Sequence, residues 1–195
     1  DGFWNRALAP GGTDLRAVAL QCNQPRSLQG PAPSLTVSSL GQFKRKGILG
    51  SAAVSESLEG LYEQALHESP PGAGGETFSA LKTVEKILNT PSTTPYPTGR
   101  LAKALREVAL LIKANVGLEL AITELGGWDS HVNQGATKGS LANHFAEWSG
   151  AIAAFARDLG PRFSEVLLVS VTEFGRTVKQ NGSGGTDHGH GSVFT

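Results

Sequence analysis

Leu118-Glu119-Leu120-Ala121-Ile122-Thr123-Glu124-Leu125, the run from Ser140 to Leu159, and Val166-Leu167-Leu168-Val169-Ser170-Val171 decide the fold. The first stretch puts Leu118, Leu120 and Ile122 on one face, as a strand does, and Gly126-Gly127 ends it. The second sets Leu141, Phe145, Trp148, Ile152, Phe155 and Leu159 at helical spacing, and Gly160-Pro161 closes it. The third is almost wholly apolar, which suits a strand buried on both faces of a parallel sheet. Strand, helix and strand in this order predict a βαβ unit with a right-handed crossover.

Upstream, Phe3 to Leu8 reads as the end of a helix and Leu15 to Leu20 as a short strand. Residues 23–50 are rich in Pro, Gly and Ser, so they read as loop, with a strand near Leu35–Leu40. Helices are expected from Ser55 to Leu66 and from Glu76 to Asn89, the latter with Phe78, Leu81, Val84 and Leu88 in a stripe. A third starts at Thr98 and carries Leu101, Leu105, Val108, Ile112 and Val116 on one face, with Asn115 and Gly117 as stop signals. The organisation expected is a single, partial domain over 1–195. It has a strand and loop region (1–50), a helical layer or cap (51–116) and a βαβ core (117–195).

Composition narrows the function. Among 195 residues, 17 Lys+Arg balance 17 Asp+Glu. A nucleic-acid binder would carry a basic excess, and a polybasic membrane-surface protein would too. No apolar run approaches the roughly 20 residues of a transmembrane helix. Cys22 is the only cysteine, which excludes an internal disulfide and a multi-cysteine metal site. The chain opens on Asp1, contains no methionine, and ends on Ser192-Val193-Phe194-Thr195, which reads like the start of a strand. The expectation is a piece of a longer protein.

Residues able to bind metal or move protons follow the two C-terminal strands. After the first come Trp128-Asp129-Ser130-His131, and after the second Thr172-Glu173-Phe174-Gly175-Arg176-Thr177. A glycine-rich stretch then carries Gly184-Gly185-Thr186-Asp187-His188-Gly189-His190. In a parallel sheet the carboxyl ends of strands share one edge, so these segments are expected to converge there. Asp129, His131, Glu173, Asp187, His188 and His190 are candidate ligands for Zn²⁺, Mn²⁺ or a similar ion, one or two in number. Arg176 is a candidate contact for an anionic substrate through its planar fork. Taken alone, each cluster also has a plain reading: Asp-x-His as loop surface, Glu173 with Arg176 as a surface ion pair, the glycines as a flexible turn. His144 reads as a packing or surface histidine, and His67 as a cation at a helix end. Trp128 can wall a pocket, and Cys22 reads as buried and inert. No Walker A motif, dinucleotide fingerprint, Gly-x-Ser-x-Gly or His-Glu-x-x-His is present.

Together, Gly126-Gly127-Trp128-Asp129-Ser130-His131, Thr172-Glu173-Phe174-Gly175-Arg176 and Gly184-Gly185-Thr186-Asp187-His188-Gly189-His190 resemble the domain-of-unknown-function family numbered 1501. That family falls in the alkaline phosphatase and sulfatase superfamily. Asp1-Gly2-Phe3-Trp4-Asn5-Arg6 and Pro25-Arg26-Ser27-Leu28-Gln29-Gly30 resemble its middle region. The resemblance implies a three-layer α/β/α sandwich around a mostly parallel sheet, incomplete here, with metals at the strand ends. It implies Asp129 and His131 as an Asp/His metal pair, with Asp187 and His188 at the last metal-ligand histidine. Thr172-Glu173-Phe174-Gly175 stands where the superfamily has Ser/Thr-Asp-His-Gly; Glu173 can replace the Asp, but Phe174 cannot replace the His as a ligand. The nucleophilic Ser, Thr or modified Cys is expected upstream of Asp1, so no catalytic nucleophile is expected within these residues. Export by a bacterial twin-arginine signal, hence a periplasmic or secreted location, is implied as well.

The function expected is metal-dependent hydrolysis of a phosphate or sulfate ester, a small anionic substrate, with zinc or else manganese, calcium or magnesium. The alternative is a non-catalytic secreted binding or structural protein whose metal site is degenerate.

Overall fold

The computed structural model of the protein describes residues 2–8, 11–13, 15–41 and 93–192, together with Val84 and Ile87. The expected helix from Ser55 to Leu66 lies outside these residues, as does most of that from Glu76 to Asn89, of which Val84 and Ile87 are helical and buried. The chain divides into two compact units, one of residues 1–93 with 106–124 and one of 94–105 with 125–195. Among the described residues, no helix is long and apolar enough to cross a membrane.

The first unit is α/β. A short helix, α1 (Phe3–Ala7), precedes strand β1 (Ala17–Leu20); a 3-10 turn (Arg26–Leu28) leads to β2 (Leu35–Thr36), and β3 (Leu120–Thr123) comes much later. The three strands form one parallel sheet in the order β2-β1-β3. Val18 pairs with Leu35 and with Ala121, which makes β1 the central strand. Its Ala-Val-Ala-Leu run is buried throughout, the pattern of a strand covered on both faces. Ala17, Ala19 and Leu28 form a core cluster against which Trp4, Leu8, Leu120 and Ile122 pack.

Three buried polar side chains of this unit, Asn5, Arg16 and Glu107, tie its segments together. Asn5 donates from Nδ2 to the carbonyls of Leu28 (3.0 Å) and Ala32 (2.8 Å), and its Oδ1 accepts from the Ala32 N–H (3.1 Å). Both ends of one carboxamide thus stitch α1 to the β1–β2 crossover. Arg16 pairs with Glu119 at 2.7 Å, and its carbonyl accepts from the N–H groups of Glu119 and Leu120, which joins the start of β3 to the start of β1. Helix α2 (Arg100–Lys113) contributes its later residues to this unit, among them Glu107, whose buried carboxylate accepts from Ser39 Oγ (2.6 Å) and the Leu40 N–H (2.8 Å). Asn115 takes a positive φ of 52° just beyond α2, the left-handed turn that ends helices. Cys22 is exposed, not buried: β1 stops at Leu20, and Cys22 lies in the bend beyond it.

The second unit is built on helix α3 (Ser140–Leu159), whose expected boundaries are the observed ones. Its stripe is buried only toward the end, through Ala151, Ala154, Phe155 and Leu159; Phe145 is 51% exposed. Gly160, with φ of 55°, ends the helix, and a 3-10 turn (Gly160–Glu165) brings Phe163 edge-on to Phe155. Tyr96 donates to Asp158 at 3.0 Å. Residues 166–171, expected as a buried strand, belong to no strand. Leu167, Val169 and Val171 are 89%, 52% and 70% exposed, while the residues between them are half-buried. The alternation of a strand is there, but no neighbouring strand among the described residues completes a ladder, so the expected βαβ unit stays open. Strands β4 (Gly175–Arg176) and β5 (His188–Gly189) instead form a two-stranded antiparallel pair.

Candidate metal centre

The site lies wholly within the second unit and is assembled by two local pairings. One sets the loop after β3 against the glycine-rich loop. Val132 bridges Gly184, the Asn133 and Gln134 N–H groups donate to the carbonyls of Ser183 and Gly184, and the Thr186 N–H donates to Ser130. A side chain at position 185 would put its Cβ 2.1 Å from the carbonyl carbon of His131, so only glycine lets the loops close to this distance. The other pairing is β4 with β5, where Arg176 stands opposite His188. Opposed residues share a face, which sends both side chains toward Asp129.

Asp129 is the hub. Its Oδ1 lies 2.9 Å from His131 Nε2, 3.0 Å from His188 Nε2 and 2.5 Å from Arg176 Nη1. Partial desolvation pushes the Asp129 carboxyl up; hydrogen bonds from His188 and Arg176 and the nearby imidazoles outweigh it and hold the group below its usual value. Trp128, one residue earlier, packs on α3 against His144 (5.4 Å between centroids) and edge-on to Phe145 (5.1 Å). Gly127, with φ of 91°, leaves room for the His144 ring. Trp128 is therefore an anchor of the Asp129 loop on the helix, and His144 packs beside it.

Asp129, His131 and His188 each offer a ligand atom, all within 4.8 Å of one another, in an exposed position. One carboxylate and two imidazoles suit a divalent ion of borderline character. The two imidazoles are stacked at 5.1 Å with planes 14° apart, and Phe174 also stacks on His188, at 4.7 Å. Phe174, which cannot replace the ligand histidine of the resembling motif, here supports a histidine that can ligate.

The remaining expected site residues divide. Asp187 is adjacent but outside the donor triad: its Oδ1 meets His131 Nδ1 at 2.9 Å and accepts from Asn181 Nδ2 at 3.0 Å. Those bonds, first from His131 and then from Asn181, outweigh desolvation and hold its carboxyl below the usual value. Glu173 and His190 are exposed and not in the triad, Glu173 in the loop before β4 and His190 in the bend after β5. Arg176 donates from Nε to Thr186 Oγ1 (3.0 Å), from Nη2 to the Thr186 carbonyl and from Nη1 to Asp129.

Sequence reasoning missed the uncharged groups. Thr186 Oγ1 donates to Gln134 Oε1 (2.8 Å), which also accepts from Ser130 Oγ (3.0 Å). Asn181 accepts at Oδ1 from the N–H groups of Ser183 and Gly185 and donates from Nδ2 to the His131 carbonyl and to Asp187. The only signal for Asn181 is its place before Gly182, a turn signature.

The family model described as "Protein of unknown function (DUF1501)" matches residues 53–195. The chain belongs to this family. No curated protein and no solved structure matches it. All the motifs that build the centre of this DUF1501 chain lie within the matched residues, whereas the first unit's β1 and β2 lie before them.

Proposed function

We propose that this DUF1501 chain is part of a metal-dependent hydrolase of phosphate or sulfate esters on an alkaline phosphatase-like α/β/α sandwich. The observation that carries the reading is the triad of Asp129, His131 and His188, whose donor atoms lie within 4.8 Å of one another. The parallel sheet of the first unit and the resemblance of the three motifs support the fold. A divalent ion held by the Asp129 carboxylate and the two Nε2 atoms would supply Lewis-acid polarisation of the ester oxygen. Arg176 keeps positive charge beside Asp129. Its guanidinium has five N–H groups, so donors remain beyond the three bonds it makes, although the side chain is only 19% exposed. Phe174 stacks on the His188 ring at 4.7 Å.

The test is zinc- or manganese-supplemented turnover of an aryl phosphate and an aryl sulfate by the full-length protein. Turnover that disappears in His188→Ala supports the reading, and absence of both bound metal and turnover defeats it. A second reading, a non-catalytic binding protein with a degenerate site, draws on Phe174 in a ligand position and on Glu173 lying outside the triad. Stoichiometric metal without turnover would favour it.

A further inference from the structure

His131 is held on both edges of its ring: Nε2 faces Asp129, and Nδ1 faces Asp187. Both nitrogens can donate at once only in the imidazolium. An ion bound at Nε2 replaces one of those contacts and leaves the other intact, with Nδ1–H donating to Asp187. We infer that Asp187 is a positioning residue for His131, an outer-sphere carboxylate that fixes the ring's tautomer and orientation, and not itself a metal ligand. This inference rests on the metal-centre reading above.

The geometry separates the two roles. Asp187 Oδ1 meets the ring at Nδ1, the nitrogen turned away from the bond to Asp129, and it also accepts from Asn181. Asn181 is itself fixed. Its Oδ1 accepts from two backbone N–H groups, so its Nδ2 is turned toward the His131 carbonyl (2.9 Å) and Asp187 (3.0 Å). One amide thus grips the main chain of the histidine and the carboxylate that orients its ring. The Asp187 backbone is pinned as well: its N–H donates to Thr177 Oγ1 at 3.1 Å, and its carbonyl accepts from the Thr177 N–H at 2.8 Å. A carboxylate on the far nitrogen of a ligating histidine raises ligand basicity and holds the ring in register.

The experiment is competitive zinc titration of the wild-type protein, Asp187→Asn and Asp187→Ala, with zinc-edge X-ray absorption of each loaded form and ¹⁵N-edited spectra of His131. Asp187→Ala is expected to lower zinc affinity by about 10–100-fold. The nearest-neighbour set should stay unchanged, while the Nδ1 proton of His131 becomes exchangeable with solvent. Asp187→Asn keeps the shape and an accepting oxygen, so its affinity should fall between the other two; it also serves as the test if the alanine variant does not fold. Unchanged affinity in both variants, or loss of an oxygen neighbour from the absorption spectrum, would overturn the positioning role while leaving the metal centre standing. A wild-type protein that takes up no zinc would remove the metal centre, and this role with it.

Discussion

The three-stranded sheet and the metal centre are held together by opposite means. In the sheet, Ala17, Val18 and Ala19 are fully buried, and Leu28 closes over them. In the centre, Asp129, His131, Asp187 and His188 are all exposed and are fixed by hydrogen bonds and ring stacking. Apolar burial stabilises a fold, while exposed ion pairs add little to stability. The centre can therefore lose its charged groups and keep its fold, whereas the sheet cannot lose its packing.

The largest effect is expected from Leu28→Ala. It opens a cavity under the sheet and should cost about 2–5 kcal/mol in denaturant unfolding. An equal or greater loss from Asp129→Asn would break the contrast. Next comes Gly185→Val, which forces the glycine-rich loop off the His131 backbone and should cost about 1–3 kcal/mol. It should also abolish metal uptake, and uptake at wild-type level would show that the loop pairing does not build the centre. Phe174→Leu removes the ring stacked on His188, a contact worth about 0.5–1.5 kcal/mol; unchanged melting and unchanged metal affinity would discard its supporting role.

The smallest effect concerns acid. Asp129 and Asp187 are both held below the usual carboxylate range. Their contribution is complete above the unfolded value and is lost as pH falls through the lowered folded ones. Melting of the metal-free protein should therefore decline below about pH 4, and Asp187→Asn should flatten that decline. Superimposable acid profiles would contradict the shift.

What the sequence reveals follows from how local each signal is. Helix α3 is legible to its ends because a long apolar period meets Gly160-Pro161. Residues 166–171 carry the composition of a buried strand, yet a strand exists only with a partner, and composition names none. The pairing of β1 with both β2 and β3 spans distant positions and has no local mark. Asp129, His131 and His188 stand out because carboxylates and imidazoles are dense there, and they do converge. The route differs from the shared edge of a parallel sheet: an antiparallel strand pair and a zipped loop bring them together. Glu173 and His190 have suitable chemistry, but their backbone positions keep them out of the triad. Asn181, Gln134 and Thr186 are invisible as site residues because an amide or hydroxyl acquires its role only from the loop that packs on it.

Zinc-edge X-ray absorption on the wild-type protein and on a His131→Ala, His188→Ala double variant tests the centre most directly. Two imidazole nitrogens at about 2.0–2.1 Å and a carboxylate oxygen in the wild type, with stoichiometric zinc lost in the variant, are the predicted result. A wild-type spectrum without imidazole scattering, or the same spectrum from both proteins, would contradict it.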